Sequence, residues 1–226
     1  MLNPITPRLE ILPQPQLALW PELAATPPEF TLYGGTAIAL HLAHRESVDF
    51  DFFGAHPFDP DRLLRSLSFL ADAQVVQRQS DTLTVRVQRG GPVLISFFAT
   101  PELGRINPPH AASDTGLRIA SLLDLAGMKA DVVQKRAEPK DYRDIDALLT
   151  AGITLPEALA AARVIQGPHF NPQISLKALS YFEDDGLEDL SQDLKRRLMT
   201  AVRGVDLGGL PQFAHVDKKF GAGGLA

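Results

Sequence analysis

The segment from Leu32 to Gly54 constrains the fold of this chain more than any other. It combines the end of an apolar strand, a Gly-Gly-Thr turn, one apolar helix and a second strand that carries Asp49 and Asp51. Side chains alternate along a strand, so both aspartates point to one face. The opposite face holds apolar residues that can bury: Val48, Phe50 and Phe52. Because the strand is so apolar, we expect it to lie in the interior of a sheet.

The two aspartates beside the glycine turn predict a site for a metal ion and phosphate. Two carboxylates forced together on one strand face repel each other unless a cation lies between them. Hard divalent cations such as Mg²⁺ take oxygen ligands and usually arrive with substrate phosphates. The Gly34–Thr36 turn opens a helix, and the amides at a helix N-terminus bind phosphate. The plainer interpretations are two solvated carboxylates on an outer strand, and a tight turn with Thr36 as an ordinary helix cap.

The same residues carry a family resemblance. Gly34-Gly35-Thr36, followed by His44-Arg45-x-Ser47-x-Asp49-x-Asp51, resembles the nucleotidyltransferase family named after the AbiEii and AbiGii toxins, within the DNA polymerase β-like superfamily. The resemblance recurs in Lys129 and in Arg136-x-x-x-Lys140-Asp141-x-x-Asp144, and it covers roughly residues 30 to 150. It implies a toxin of a toxin–antitoxin or phage-defence system that transfers a nucleoside monophosphate from an NTP to an acceptor such as RNA or tRNA. A cognate antitoxin protein is then the expected partner.

The resemblance also assigns roles to single residues. It implies that Asp49 and Asp51 hold Mg²⁺ or Mn²⁺, and that Lys129 joins them as a catalytic residue that neutralises the triphosphate. The other matching positions are implied to bind the nucleotide: Gly34, Gly35, Thr36, Arg45, Ser47, Arg136, Lys140 and Asp144. Arg45 and Ser47 equally suit a surface arginine and a serine in a turn.

The downstream matches have plainer alternatives as well. Lys129 and Arg136 are seven residues apart on one helix face, which also suits a solvated stripe. Lys140 and Asp144, at i and i+4, suit a surface ion pair worth a few tenths of a kcal/mol. Under the resemblance, Asp141 and Asp144 are either structural or orient Lys129 or Arg136.

Ser96 marks a departure from the superfamily pattern. Members of this superfamily usually carry a third carboxylate on a following strand, which helps to act on the attacking hydroxyl. The candidate strand, Val93–Ala99, holds Ser96 where that aspartate is expected, and Glu102 lies just past its end. A catalytically impaired nucleotide-binding or protein-interaction module therefore stays open as an alternative. A nucleotidyltransferase that acts on a small molecule is a further alternative, which the acidic net charge favours over an enzyme acting on nucleic acid.

Composition narrows the class of protein. The net charge of −5 over 226 residues argues against a general electrostatic binder of nucleic acid. The best basic cluster, Lys195-Arg196-Arg197 with Arg203, suits a solvated helix face or a contact to RNA phosphate. The absence of cysteine excludes disulfides and thiolate zinc sites. No signal peptide or apolar run of the ~18 residues that span a membrane is evident, so we expect a soluble cytoplasmic protein without a membrane partner.

The chain divides into an α/β part and a helical part. We expect a nucleotidyltransferase-like mixed sheet with helices, followed by a helical C-terminal half. The expected boundaries are an irregular arm with one short helix at 1–28, the α/β domain at 29–109, the helical domain at 110–205 and a mobile tail at 206–226. Capping signals predict a helix that begins after Asp59 and a long helix from Ser113 or Asp114 to about Ala137. Further helices are predicted at 140–150, 156–166, 172–182 and 187–203.

Overall fold

The computed structural model describes residues 2–216. The chain forms two compact units, which are described separately. The first comprises the residues up to Leu103 together with Pro109–Ala120, and the second comprises Gly104–Pro108 together with the chain from Ser121 onward. Residues 110–120, expected in the helical half, therefore lie in the first unit. The last ten residues of the predicted mobile tail, 217–226, lie outside the described residues.

The first unit is built on a mixed sheet, as the α/β prediction requires. Within residues 2–216 the sheet has eight strands in the order β1-β7-β8-β2-β3-β6-β5-β4. The strands are β1 Pro4–Ile5, β2 Phe30–Tyr33, β3 Asp49–Gly54, β4 Gln74–Gln79, β5 Thr82–Gln88, β6 Pro92–Ala99, β7 His110–Ala112 and β8 Arg118–Ile119. Strand β3 runs antiparallel to β2 and parallel to β6. The aspartate strand is therefore an interior strand, as predicted.

Alternation along β3 follows the sequence pattern. Phe50 and Phe52 are fully buried, while Asp49 and Asp51 are only partly covered. The prediction was wrong for Val48, which is 50% exposed, because it precedes the strand and its side chain is not held by the sheet. Ring contacts continue the buried face, with Phe52 stacked on Phe97 of β6.

The N-terminal residues are more ordered than the expected irregular arm. Strand β1 joins the sheet edge beside β7, and helix α1 spans Gln14–Leu19. A 3₁₀ helix, Trp20–Ala25, follows it. Trp20 is buried with its ring 6.5 Å from that of Phe50, and its indole N–H donates to Asp114. The arm therefore covers the apolar face of the strand that carries the aspartates.

The first unit contains two further helices, and the second of them begins at its predicted cap. Helix α2 spans Gly34–Leu42 and helix α3 spans Pro60–Ser66. The Asp59 side chain accepts hydrogen bonds from the amides of Asp61 and Arg62, so the predicted cap is confirmed.

The long helix predicted from Ser113 begins later, which is a correction. Residues 110–119 form the short antiparallel pair β7–β8, whose connection contains Gly116 at φ +72°. Helix α4 spans Leu122–Val132, and its cap is Ser121, whose hydroxyl accepts from the Asp124 amide. The Ser113-Asp114 pair resembles a cap locally, but it belongs to a turn that Asp114 anchors through Trp20.

The second unit is helical, as predicted. After α4 it contains α5 Pro139–Thr150, α6 Leu155–Gln166, α7 Pro172–Ala178 and α8 Gln192–Arg203. Helices α4 and α6 approach closely at Gly127, where a β-carbon would lie 2.8 Å from Cδ1 of Ile165. Two predicted helices were too long, since α7 ends at Ala178 rather than residue 182 and α8 begins at Gln192 rather than residue 187.

Residues 206–216 of the predicted tail pack within the second unit. The amide of Val216 donates to the carbonyl of Arg105, and a β-carbon at Gly104 would meet the His215 ring. In the part of the chain that the structure describes, no single helix has the length and apolar content to cross a membrane. One sharply bent helix pair, Pro139–Thr150 with Leu155–His169, meets those criteria only jointly.

Candidate functional site

The glycine turn and the aspartate strand meet at Gly34. Its backbone has φ +75°, a conformation that residues with side chains rarely adopt. A β-carbon at Gly34 would lie 2.8 Å from Oδ2 of Asp51. The Asp51 carboxylate therefore rests against the backbone that opens α2, and both the conformation and the space require glycine here.

Arg45 and Ser47, two further residues of the predicted nucleotide site, lie close to Gly35. A β-carbon at this position would lie 2.3 Å from Nη2 of Arg45 and 3.1 Å from Oγ of Ser47. The guanidinium and the hydroxyl thus converge on the first turn of α2, where backbone amides point outward. Arg45 also donates to the Glu46 carbonyl over 2.8 Å. The structure brings Gly34, Gly35, Arg45, Ser47 and Asp51 together.

Thr36 has a different place from the one its sequence position indicated. It is the third residue of α2 rather than its cap, which is Tyr33 and makes no side-chain capping bond. Thr36 is 1% exposed, and its hydroxyl donates to the carbonyl oxygen of Asp49. The interpretation as an ordinary helix cap was therefore wrong, and Thr36 instead links the start of the helix to the start of the aspartate strand.

Strand register places a row of polar side chains beside Asp51. Tyr33 is its partner on β2 and Ser96 is its partner on β6, while Thr84 of β5 is the partner of Ser96. Paired residues on neighbouring strands face the same side of a sheet. Ser96, where a third carboxylate was expected, is thus adjacent to Asp51. It is 5% exposed and accepts a hydrogen bond of 3.3 Å from the Thr84 hydroxyl.

Thr84 and Tyr33 were missed as members of this row. The alternation in β5 had already put Thr84 on the polar face of its strand, but only the register shows that it meets Ser96. Tyr33 ends the strand before the glycine turn, and its ring lies edge-on to that of Phe53.

The carboxylates of the site suit a metal ion whose remaining ligands are phosphate oxygens of a bound nucleotide. Within residues 2–216 no group of three or more His, Asp or Glu side chains is arranged to hold a metal ion. Asp49 and Asp51 alone supply two hard oxygen donors on one strand face. Gly34, whose backbone lies against Asp51, has no side chain of its own to separate the helix amides from the carboxylate. This donor set fits Mg²⁺ or Mn²⁺ held jointly by protein carboxylates and phosphate oxygens.

The second unit holds a separate cluster of buried charges. Nζ of Lys129 lies 2.6 Å from Oδ1 of Asp141 and 2.6 Å from Oδ2 of Asp144. Nε of Arg136 lies 2.8 Å from Oδ2 of Asp141. Both carboxylate side chains are fully buried, and that of Lys129 is 7% exposed. The interpretation of Lys129 as part of a solvated stripe was therefore wrong, and two cations balance two anions within the cluster.

The pKa of Asp141 reflects this arrangement. Burial raises the pKa, but the hydrogen bond from Arg136 and the charge of Lys129 outweigh burial, so the pKa lies below its ordinary value. The carboxylate is held ionised between two cations. Asp141 thus orients both Lys129 and Arg136, one of the two roles that the sequence left open for it.

Lys140 lies outside the buried cluster. Its Nζ pairs with Oε2 of Glu138 over 2.7 Å, and its side chain is 49% exposed. The expected surface pair between Lys140 and Asp144 was wrong, because Asp144 is fully buried and pairs with Lys129.

The basic residues of α8 are partly neutralised. Arg197 forms a two-pronged ion pair with Asp146, with nitrogen–oxygen distances of 2.7 and 2.5 Å. Arg196 pairs with Asp193, and Nζ of Lys195 lies 5.7 Å from the centre of the Phe182 ring. These contacts favour a solvated helix face that also stabilises the unit.

Comparison with solved structures supports the fold. MenT4, a nucleotidyltransferase toxin from Mycobacterium tuberculosis H37Rv, superposes with a TM-score of 0.56 at 13% sequence identity. The match covers 84% of this chain and 82% of MenT4. At this identity the likeness is one of fold alone, and it agrees with the mixed α/β architecture predicted from the sequence.

Comparison of sequences gives the family. An uncharacterized protein of Aquifex aeolicus (strain VF5) is 31% identical over 172 residues, which cover 74% of this chain and 80% of that protein. The model of the family described as nucleotidyl transferase AbiEii toxin, type IV toxin–antitoxin system, matches residues 20–219. That match includes every residue of the glycine turn, the aspartate strand and the buried charge cluster, and the chain belongs to the AbiEii nucleotidyl transferase toxin family.

Proposed function

We propose that this chain transfers a nucleoside monophosphate from an NTP to an acceptor hydroxyl with the help of Mg²⁺ or Mn²⁺. The observation that carries the proposal is the contact between Asp51 and Gly34, because it puts a carboxylate of the interior strand against the backbone of a helix N-terminus. Carboxylates suit the metal, and helix amides suit phosphate. A triphosphate with a bound metal ion would interact with the carboxylates through the metal and with the helix amides through its phosphate oxygens.

Different residues of the first unit would bind the metal ion and the phosphate groups. Asp49 and Asp51 would hold the metal ion, which when bound offsets the negative charge of the phosphate oxygens. The amides near Gly34 and Gly35 bind phosphate, and Arg45 supplies a planar cation that suits phosphate oxygens. Ser47 donates from its hydroxyl at the same turn. Thr36 does not contact the nucleotide in this proposal but holds the backbone carbonyl of Asp49 through its hydroxyl.

The reaction exchanges one phosphorus–oxygen bond for another. The acceptor hydroxyl oxygen bonds to the α-phosphorus and its proton passes to solvent water, while the bond from that phosphorus to the bridging oxygen of the β-phosphate breaks. Pyrophosphate leaves with the electron pair. The contribution of the protein is positioning and compensation of charge, as is general for phosphoryl transfer.

Lys129 and its partners form the second part of the proposal. An ammonium group has three N–H donors, and the bonds to Asp141 and Asp144 use two of them. The third would suit a phosphate oxygen, which is the role that the family resemblance implies for Lys129. Arg136 joins the cluster through Asp141 and adds positive charge at its exposed end. Lys140 extends that basic edge, and Asp144 keeps Lys129 in place.

The family supports a proposal for the partner, and the resemblance extends that proposal to the acceptor. Its toxins belong to type IV toxin–antitoxin systems. We therefore propose an RNA such as tRNA as the acceptor and a cognate antitoxin protein as the partner, acting in the cytoplasm. The net charge of −5 means that any RNA contact depends on local basic residues, since the field of the whole chain repels phosphate.

A transfer assay tests the proposal. Purified protein is incubated with total RNA, Mg²⁺ or Mn²⁺ and each of the four α-³²P-labelled NTPs in turn. We expect label to enter RNA from one or more nucleotides with wild type, and none with Asp49→Ala or Asp51→Ala. Thermal unfolding confirms that both variants remain folded. Equal labelling by wild type and both variants would refute the assignment of the aspartates.

A catalytically impaired nucleotide-binding module is the second candidate, and Ser96 is the observation that favours it. The position beside Asp51 that suits a third carboxylate holds a buried hydroxyl instead. Binding of Mg²⁺·NTP without any transfer, to RNA or to small-molecule acceptors, would select this candidate.

A further inference from the structure

Within residues 2–216, the start of the aspartate strand has no strand neighbour on the side of β2. Strand β2 ends at Tyr33, which is the partner of Asp51, so Val48 and Asp49 extend beyond the end of β2. On the other side Asp49 is the partner of Leu94 in β6. The preceding residues, 43–48, form neither helix nor strand. The sheet therefore fixes only one edge of the backbone that carries Asp49.

Two buried side chains form hydrogen bonds with the backbone at the start of the aspartate strand. The amide nitrogen Nε2 of Gln16 donates to the carbonyl of Val48 over 2.8 Å, and the hydroxyl of Thr36 donates to the carbonyl of Asp49. Gln16 is 3% exposed. Backbone carbonyls removed from water need donors, and in a sheet a neighbouring strand supplies them. Here two successive carbonyls receive theirs from α1 and α2.

Helix α1 is anchored independently of the aspartate strand's first residues. A β-carbon at Gly91 would lie 2.7 Å from Cγ of Pro15, so α1 packs closely on the β5–β6 turn. Leu19 is fully buried at the other end of α1, and Trp20 packs against Phe50. Gln16 lies between these anchors, so its amide presents a fixed donor to Val48.

The amide oxygen of Gln16 indicates that packing alone does not account for a glutamine at this buried position. Its Oε1 is buried and has no hydrogen-bond partner among residues 2–216. An unpaired buried acceptor is costly, and an apolar side chain of the same size would avoid that cost. What the apolar side chain would lose is the bond to Val48.

We propose that Gln16 is a positioning residue for the paired carboxylates of the site, holding the Val48 carbonyl while Thr36 holds that of Asp49. This inference rests on the proposed function of Asp49 and Asp51. With both carbonyls fixed, the peptide planes on either side of the Asp49 α-carbon are fixed, and the direction of its side chain follows. Gln16 precedes residue 20, where the family match begins, so this role is outside the matched region.

Binding of Mn²⁺ with inorganic triphosphate, the part common to all NTPs, tests the proposal. The assay measures paramagnetic relaxation of water in wild type, Gln16→Met, Gln14→Met and Asp51→Asn. Gln14 is an exposed glutamine of the same helix, so Gln14→Met is the matched control. We expect Gln14→Met to match wild type, Gln16→Met to bind about tenfold more weakly and Asp51→Asn not to bind.

The outcomes separate the two proposals. Binding by Asp51→Asn at the wild-type level would overturn the metal site itself, whatever Gln16→Met does. Loss of binding in Asp51→Asn together with wild-type binding in Gln16→Met would overturn the positioning role and leave the metal site intact. Weaker binding in Gln16→Met with an unchanged melting temperature supports positioning over a general loss of structure.

A second variant keeps the test decisive if Gln16→Met does not fold. In Gln16→Glu the side chain keeps its size, but only the protonated carboxyl can donate to Val48. We expect its affinity relative to wild type to be lower at about pH 8 than at about pH 6, because burial raises the pKa of such a carboxyl. A ratio that does not change with pH would overturn the positioning role.

Discussion

The Asp51 carboxylate occupies the space that a side chain at Gly34 would need, since a β-carbon on the glycine would lie 2.8 Å from Oδ2 of the aspartate. Gly34 also has a φ of +75°, which costs an alanine roughly 1–2 kcal/mol. We expect Gly34→Ala to lose that free energy of unfolding plus a steric contribution. In the double variant with Asp51→Ala, the steric contribution should disappear, which a double-mutant cycle in urea measures.

Gly90 is the matched control for this cycle. It has the same φ of +75°, and a β-carbon there would meet nothing within 4 Å. Gly90→Ala therefore reports the backbone cost alone. Equal losses in Gly34→Ala and Gly90→Ala would contradict the close approach of the carboxylate.

Ser96→Asp tests whether a third carboxylate fits beside Asp51. Because Ser96 is buried and adjacent to Asp51, we expect the variant to unfold at a lower temperature without metal. Mg²⁺ should raise its melting temperature more than that of wild type, and transfer of labelled nucleotide should rise. Ser96→Asn, with similar size and no charge, is the control. A metal response equal to that of Ser96→Asn would show that the new carboxylate does not reach the site.

Lys129→Met should strongly destabilise the second unit. The change leaves two fully buried carboxylates with Arg136 as their remaining cation near Asp141. Breaking a buried ion pair by removing one partner costs about 3–5 kcal/mol. Urea unfolding measures the loss, and Lys140→Met, which removes an exposed pair, should change stability by about 1 kcal/mol or less. Similar losses in the two variants would argue against the buried cluster.

Tyr142 should give the protein an alkaline limit of stability. Burial, with the charges of Asp184 and Asp141, raises the pKa of Tyr142 to about 12. The unfolded chain releases this proton near the ordinary value of 10, whereas the folded chain retains it. The contribution of Tyr142 to stability is therefore present below about pH 10 and falls as the pH rises from about 10 to about 12.

Absorbance near 295 nm checks this value. The difference between wild type and Tyr142→Phe should titrate at about pH 12 in the folded state. A difference that titrates at the ordinary value of 10 would contradict the burial of the phenol.

Ala43→Gly should stabilise the first unit. Ala43 follows α2 with φ +50°, the one residue other than glycine with positive φ within residues 2–216. Glycine adopts this conformation without steric cost but loses more entropy on folding, so we expect a net gain of about 0.5–1 kcal/mol. Ala18→Gly, at an exposed position of helix α1, should instead destabilise by a similar amount. Thermal unfolding of both variants measures the contrast.

The sequence by itself determined the features that arise within a few residues. Alternation put Phe50 and Phe52 on the buried face of β3, and Asp59 capped α3 as its position predicted. The family motif located the glycine turn and the aspartates. These features depend on the periods of strands and helices and on capping bonds, which act over one to four residues.

Only the tertiary structure decided which distant side chains meet. The register of Ser96 with Asp51 and the bond from Gln16 to Val48 both depend on contacts that local patterns do not encode. Ser113 and Ser121 are both of a residue type that favours a helix cap, and the β7–β8 pairing keeps the helix from beginning at Ser113. The sequence alone left a solvated stripe open for Lys129, and its contacts with Asp141 and Asp144 exclude that alternative. The reason is physical: burial and pairing of a polar group depend on what the rest of the chain packs against it.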